Sequence, residues 1–388
     1  MLGAMDRDSL VFNSCAFIAS LFLLQTGAVL FITNTAIIAR RCGIPETLVA
    51  LLTAGAEWEE LAVVVASIVQ QRPSLGLGNV VGSSISNVMG AFALGLLFNK
   101  NPIRFDLSAK IYSGALFAVS TIFTLLAFTG LLDLTGGIFF IVGFAIYVVS
   151  ICSAIYDGIL APTPEEPTVE VREETPLPTP STDHQELHVS IYPSVLACHP
   201  TEASPLLPTY SSSPSPGKPP RPTRTSYHAL LVLIGLAALF IAAYTLSQSA
   251  ASLASLFKVS NTLIGVTLVS ISTTLPEKII AVIDSWQSRT TIMTATTAGS
   301  NMFLLTLCIG VIFVSGSQGD ADTDPGSGPT PGTGLLTDNL VAFEVWTVWA
   351  CSVLLMLVTW IGARRWLGAL LFGLYISFIV VELTFFKR

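Results

Sequence analysis

Apolar runs of about 20 residues, each long enough to cross a bilayer as a helix, fall at 10–38, 47–70, 76–98, 109–131 and 133–156. Five more follow at 228–250, 260–285, 291–315, 340–361 and 366–386. Between the two groups, 157–227 is rich in Pro, Thr, Ser and Glu and has almost no apolar periodicity. Such a segment cannot bury a core and reads as a disordered linker. An odd number of spans per half forces the second half to begin on the opposite side of the membrane. The pattern therefore predicts an all-α integral membrane protein of ten transmembrane helices, arranged as two inverted five-helix repeats over 1–156 and 228–388. In that plan the substrate site lies between the repeats near the midplane.

Composition supports a bilayer setting: 52% of residues are hydrophobic, 11% are charged and the mean hydropathy is +0.71, against roughly 25% charged in soluble domains. Membrane lipid is the expected surrounding partner. The net charge of -7 comes with cationic residues scattered at the ends of apolar runs, which excludes a nucleic-acid patch. The cysteines Cys15, Cys42, Cys152, Cys198, Cys308 and Cys351 lie apart without a C-x-x-C pair, and favour neither a disulfide framework nor a zinc site. The first run, from near Ser9, is longer than a signal-peptide core and is expected to be retained as a span. One set of alternate inter-span segments holds 12 Lys and Arg and the other 5. The richer side, which includes the linker, is expected to face the cytosol, with both termini facing outward or into a lumen.

Glu60 and Glu277 stand inside apolar runs, and each is followed 22 residues later by a glycine and a serine. Glu60 and Glu277, Arg72 and Arg289, Gly82 and Gly299, and Ser83 and Ser300 superpose on one ungapped offset of 217, which reads as an internal duplication.

The second copy, with S-T-T-L-P-E at 272–277 and G-S-N at 299–301, resembles the second alpha-repeat of the cation/Ca2+ antiporter superfamily, the sodium/calcium exchanger membrane region. The first, with E-E-L at 59–61 and G-N-V-V-G-S-S-I-S-N at 78–87, is similar to the matching alpha-1 repeat. These motifs place the alpha-1 repeat at 47–98 and the alpha-2 repeat at 260–315. The resemblance implies an antiporter exchanging Ca2+ or a related divalent cation for H+ or Na+, with no cofactor. It assigns the calcium-binding glutamates to Glu60 and Glu277, the supporting hydroxyls to Ser83, Ser300, Thr273 and Thr274, and the amides to Asn87 and Asn301. The chain departs from the family pattern where G-T-S-L-P-E would stand in the first repeat, reading Gly55-Ala56-Glu57-Trp58-Glu59-Glu60, and in having Leu304, Ser84 and Thr296 at polar or acidic positions of relatives. The G-S-S-I-S-N run looks more like proton/calcium exchangers, and T-T-L-P-E more like sodium/calcium exchangers.

Elementary chemistry leads to the same ion class. A carboxylate near the bilayer centre costs roughly 2.5–3.5 kcal/mol on insertion scales, and two brought together repel as well. A hard cation taking 6–8 oxygens, such as calcium, offsets both. Pro276 disrupts the helical ladder beside Glu277 and frees carbonyls for an ion, while Ser83 and Asn87, four apart, share a helical face. Helical spacing also puts Glu57 nearly on the face of Glu60, making it a better ligand candidate than Glu59. The alternative for the acids is an interhelical tether to a basic residue such as Lys278, which could instead snorkel to an interface. Gly82 and Gly299 could serve close helix packing, and Ser83 and Ser300 could bond their own backbone.

A channel or uniporter could use the same acids but is disfavoured by the inverted duplication; a transport-inactive scaffold with an altered alpha-1 motif is a further alternative. No nucleophile–base pairing, phosphate loop or His-rich metal motif occurs within the spans, so the chain is not expected to be an enzyme. Asp320, Asp322 and Asp324 have the spacing of a calcium loop but lack its glycine and its final glutamate. His184, His188, Cys198 and His199 are too loosely spaced for a defined metal site. Glu202 to Leu207 matches the acidic dileucine pattern E-x-x-x-L-L read by sorting adaptors, and suggests a vacuolar or endolysosomal membrane over the plasma membrane or ER. Ser-Pro and Thr-Pro pairs in the linker suit phosphorylation.

Overall fold

The computed structural model describes residues 4–43, 56–99, 102–103, 105–156, 225–286, 290–315, 340 and 342–386. Residues 157–224 of the linker with its dileucine and His/Cys features, Arg289, and the acidic loop of Asp320, Asp322 and Asp324 lie outside the described residues, while 225–227, expected in the linker, open a helix instead.

Helix α1 spans Ala4–Arg41, α2 Trp58–Val69, α3 Pro73–Phe98, α4 Leu107–Thr129, α5 Leu134–Tyr156 and α6 Thr225–Phe257. Helix α7 covers Asn261–Thr273 and α8 Leu275–Trp286, bent by 43° where they meet. Helix α9 runs through Thr290–Phe303, Leu304–Cys308 and Ile309–Val314, followed by α10, Ala342–Ile361, and α11, Arg365–Phe385. Among the described residues, eight helices are long and apolar enough to cross a membrane, and nine if α7 and α8 form one broken span. The predicted run at 47–70 is represented by α2 alone, since 47–55 lie outside the described residues.

Local chemistry sets the boundaries. Asp106 accepts from the Ala109 amide at 3.0 Å, Asp133 from Gly136 at 3.0 Å and Ser260 from Leu263 at 3.1 Å, each satisfying an orphan donor at a helix start. Gly130, at φ 70°, closes α4 in the left-handed region that favours glycine. The α7–α8 bend coincides with Pro276, in the first turn of α8, as the sequence anticipates.

Burial separates an inner pair of helices from an outer set. In their spanning windows α3 is 89% and α9 78% buried, against 22–33% for α1, α4, α5, α6 and α11. The outer helices expose large apolar side chains such as Phe22, Leu125, Ile146, Ile241 and Val380, a surface that only hydrocarbon covers without cost. Exposed Trp286, Trp346, Trp360 and Trp366 sit near helix ends, where amphipathic rings mark the two membrane–water interfaces.

Close crossings hold the inner layer. A Cβ on Gly265 of α7 would meet the Leu75 carbonyl oxygen at 2.5 Å and the Asn79 nitrogen at 2.9 Å, both on α3. One on Gly235 of α6 would meet the Phe31 nitrogen of α1 at 2.6 Å. Small residues at such crossings let backbones approach in the absence of a hydrophobic drive between helices. Three helices also carry wide π-type turns, at Ser86–Phe92 in α3, Gly265–Val269 in α7 and Leu304–Cys308 in α9. Adding the offset of 217 to the first places it over the third, so the two inner helices repeat even their irregularity. Such bulges concentrate at functional positions.

Candidate cation site

Glu57 stands at the N-cap position of α2 without a side-chain capping bond, and Glu59 and Glu60 lie in its first turn; Glu277 lies in the first turn of α8. All four carboxylates are therefore carried at helix starts, where unsatisfied N–H groups and the helix dipole favour negative charge. Sequence reading places Glu60 inside a run, whereas the structure begins the helix at Trp58, with Glu57 in a non-helical conformation at φ -82° and ψ 74°. No proline is needed there. The acids themselves suit a helix start, and the Leu61 amide donates to the Glu57 carbonyl at 3.1 Å.

Oxygens of Glu57, Glu59 and Glu60 lie within 4.8 Å of one another. Glu60 is 1% exposed, and neither of its carboxylate oxygens has a hydrogen-bond partner among the described residues. One oxygen of Glu277 is likewise buried and unpaired. From the neighbouring helices, the Asn87 amide of α3 donates to Glu57 at 3.4 Å, and the Ser300 hydroxyl of α9 reaches the same carboxylate. The Ser83 hydroxyl, the Asn87 oxygen and the Asn301 oxygen are buried without partners. Buried polar groups are normally satisfied, and unpaired oxygens of this kind are the chemistry that a hard cation takes.

The remaining predicted residues are placed differently. The Thr273 hydroxyl donates to the Val269 carbonyl at 3.1 Å, within its own helix. That of Thr274 donates to the Ser270 carbonyl at 2.5 Å and meets Lys278 Nζ at 2.6 Å and Ser86 Oγ at 2.8 Å. Asn301 uses its NH2 group on the Thr297 carbonyl at 3.0 Å. Leu304, at the position paired with Asn87 by the 217 offset, is fully buried and adds no oxygen.

A cavity of about 260 Å³ reaches this cluster. It follows α1 from Gln25 to Arg40 and touches Glu57, Glu59, Asn87, Glu277 and Ser300. Glu60 and Ser83 do not line it and are sealed at 1% and 0% exposure. Carboxylates thus stand both on the cavity wall, at Glu57, Glu59 and Glu277, and behind it, at Glu60.

The chain matches the sodium/calcium exchanger protein family over residues 12–152 and 227–384. It belongs to that family. Among curated proteins this exchanger-family chain is similar to the one named "Putative antiporter CaxA" of Alkalimonas amylolytica, 25% identical over 300 residues that cover 76% of this chain and 78% of the relative. Among solved structures it resembles the sodium-calcium exchanger NCX_Mj soaked with 2.5 mM Na+ and 10 mM Sr2+, at a TM-score of 0.54 and 17% identity, covering 96% of this chain and 99% of the other. The same exchanger soaked with 2.5 mM Na+ and 0.1 mM Ca2+ gives a TM-score of 0.52 at 18% identity, with 95% and 98% covered. At these identities the likeness shows the fold.

Reading the sequence of this exchanger-family protein leaves three residues of the region unnoticed. Asn79 of α3 is 0% exposed with both amide atoms unpaired; it lies four residues before Ser83 and eight before Asn87, a spacing that could have flagged it. Ser86 stands inside the quoted G-S-S-I-S-N run. Tyr375 of α11, bonded to Ser86 at 2.8 Å, carries no local signal, because only the fold brings the last helix to the first repeat.

Proposed function

We propose that the chain is a secondary active antiporter that exchanges Ca2+, or a related divalent cation, for H+ or Na+ by alternating access between two inverted five-helix repeats, ten spans in all. The observation that carries this reading is that Glu57 and Glu59 at the start of α2 and Glu277 of α8 line one cavity, with Glu60 clustered behind Glu57 and Glu59 and buried carboxylate oxygens left unpaired. Glu60 and Glu277 are the paired ligands. Glu57, Ser83, Asn87, Ser300 and Asn301 complete the oxygen set, and Thr273 and Thr274 support it from the break between α7 and α8.

The 217-residue offset supports the repeat, both in the acids and in the matched wide turns of α3 and α9. In this reading, alternating access lets ions enter along the cavity beside α1, displace one another on the same acids, and leave on the opposite side when the bundles rock. Ca2+ and the counter-ion bind in mutually exclusive states, which is what makes the transport an exchange. The vacuolar or endolysosomal membrane is the proposed location, through adaptor binding at Glu202–Leu207.

Purified protein in liposomes, with Ca2+ flux driven in turn by proton, sodium and potassium gradients, tests the function. Uptake that follows one gradient and needs that ion on the opposite side is expected. Ca2+ flux that proceeds equally without any counter-ion would point to a channel and end the antiporter reading.

A further inference from the structure

Lys278 follows directly after Glu277, yet its ammonium makes its hydrogen bonds with uncharged oxygens. Nζ lies 2.6 Å from Thr274 Oγ1, 2.7 Å from Ser86 Oγ and 3.2 Å from the Thr274 carbonyl oxygen. An ammonium has three N–H donors, so these contacts use its full capacity. Lys278 is 8% exposed. Its stem passes over Gly90 of α3, where a Cβ would come within 3.0 Å of Lys278 Cε.

The oxygens are fixed independently of the lysine. Thr274 donates its own proton to the Ser270 carbonyl at 2.5 Å, leaving lone pairs toward Nζ. Ser86 is bonded to both Thr274 Oγ1 and the Tyr375 hydroxyl, each at 2.8 Å. The Tyr375 ring centre lies 5.8 Å from Nζ, close enough for its face to attract a cation. Four elements converge here: the start of α8, the end of α7, the wide turn of α3 and α11. Two hydroxyls, one carbonyl and an aromatic face make a surrounding suited to a monovalent cation of weak hydration demand. A tether or a snorkelling lysine would instead show a carboxylate partner or an exposed head.

We propose that the Lys278 ammonium is a built-in monovalent cation, filling an oxygen cradle of Thr274 and Ser86 beside the acid cluster that would otherwise take a free alkali cation such as Na+. The inference rests on the reading of that cluster as the transported-cation site. Its consequence is selectivity: this position cannot load a transported monovalent ion, so coupling ions are confined to the glutamates.

The test uses full-length protein in detergent without Ca2+, melted at equal ionic strength in N-methylglucamine, sodium, potassium or methylammonium chloride. Lys278→Ala removes the ammonium and keeps the oxygens. Relative to wild type, it should gain a saturable rise in melting temperature of roughly 3 °C or more with a small cation over N-methylglucamine. The gain should disappear when Ser86→Ala is added. Lys278→Met, which removes the charge while still packing over Gly90, carries the measurement if the alanine variant is not monodisperse. A folded variant that responds to cations as wild type does, a gain that survives Ser86→Ala, or failure of both variants in every cation overturns the proposal. The Ca2+-induced melting shift of wild type, and its loss in Glu277→Gln, is measured alongside. Without that shift the cation-site reading itself fails; with the shift present and no gain in Lys278→Ala, only this inference falls.

Discussion

Replacing Glu57 with glutamine separates a ligand from a structural tether, because the amide preserves size and hydrogen bonding to Asn87 and Ser300 while removing one charge. Oxygens of Glu57, Glu59 and Glu60 lie within 4.8 Å of one another. At an effective dielectric of 20 each ionised pair at that distance repels by about 3.5 kcal/mol. Glu57 takes part in two of the three pairs, so at that separation neutralising it relieves about 7 kcal/mol between fully ionised carboxylates in protein free of divalent cation. If half survives protonation and solvent screening, at roughly 2 °C per kcal/mol for a chain of this size, the melting temperature without Ca2+ rises by about 7 °C. The added stabilisation by Ca2+ should shrink at the same time, since a ligand oxygen has lost its charge. Differential scanning fluorimetry over a Ca2+ titration reads both quantities. A variant with unchanged Ca2+ stabilisation, or one less stable than wild type without Ca2+, would refute the clustering argument and leave Glu57 as a tether.

Other predictions test the frame around the site. Gly265→Ala should destabilise by about 1–3 kcal/mol, because its Cβ meets the α3 backbone at Leu75 and Asn79; a melting temperature equal to wild type counts against the close crossing. Tyr375→Phe should cost about 1 kcal/mol by removing the hydroxyl bonded to Ser86, without altering Ca2+ binding; a larger loss of Ca2+ binding than of stability would place Tyr375 in the ion path. In a background without Cys15, Cys42, Cys152 and Cys198, Ile280→Cys on the cavity wall, which runs along α1 toward Arg40 on the expected cytosolic side, should react with a membrane-impermeant thiol reagent from that face, and Asn79→Cys should not. Labelling in the reverse pattern contradicts the direction of opening. Replacing Leu206 and Leu207 by alanine should move the protein to a different membrane in cell imaging; an unchanged location discards the sorting signal.

Much of the architecture was legible because lipid imposes a strong rule: a span must be long and apolar, and the runs at 109–131 and 133–156 end within a few residues of α4 and α5. The break at Pro276 was equally visible, since proline removes a backbone donor wherever it sits. The start of α2 was not. It lies inside the run at 47–70, and what marks it is three acids crowded at a helix N-terminus, a local preference that apolar patterning does not register. Periodicity ranked Glu57 above Glu59, yet both line the cavity, because Glu57 precedes the helix and need not follow its 100° steps. Lys278 shows a different limit. Its neighbour Glu277 suggests an ion pair, whereas Ser86 and Tyr375, 192 and 97 residues away in the chain, determine where the ammonium goes.

The central claim is that acids from the two repeats hold one divalent cation together, and radioactive Ca2+ uptake into liposomes bearing wild type, Glu60→Gln or Glu277→Gln tests it most directly. Each single substitution should reduce exchange to the level of empty liposomes while the purified variants remain monodisperse. Uptake near wild type in either folded variant would contradict it.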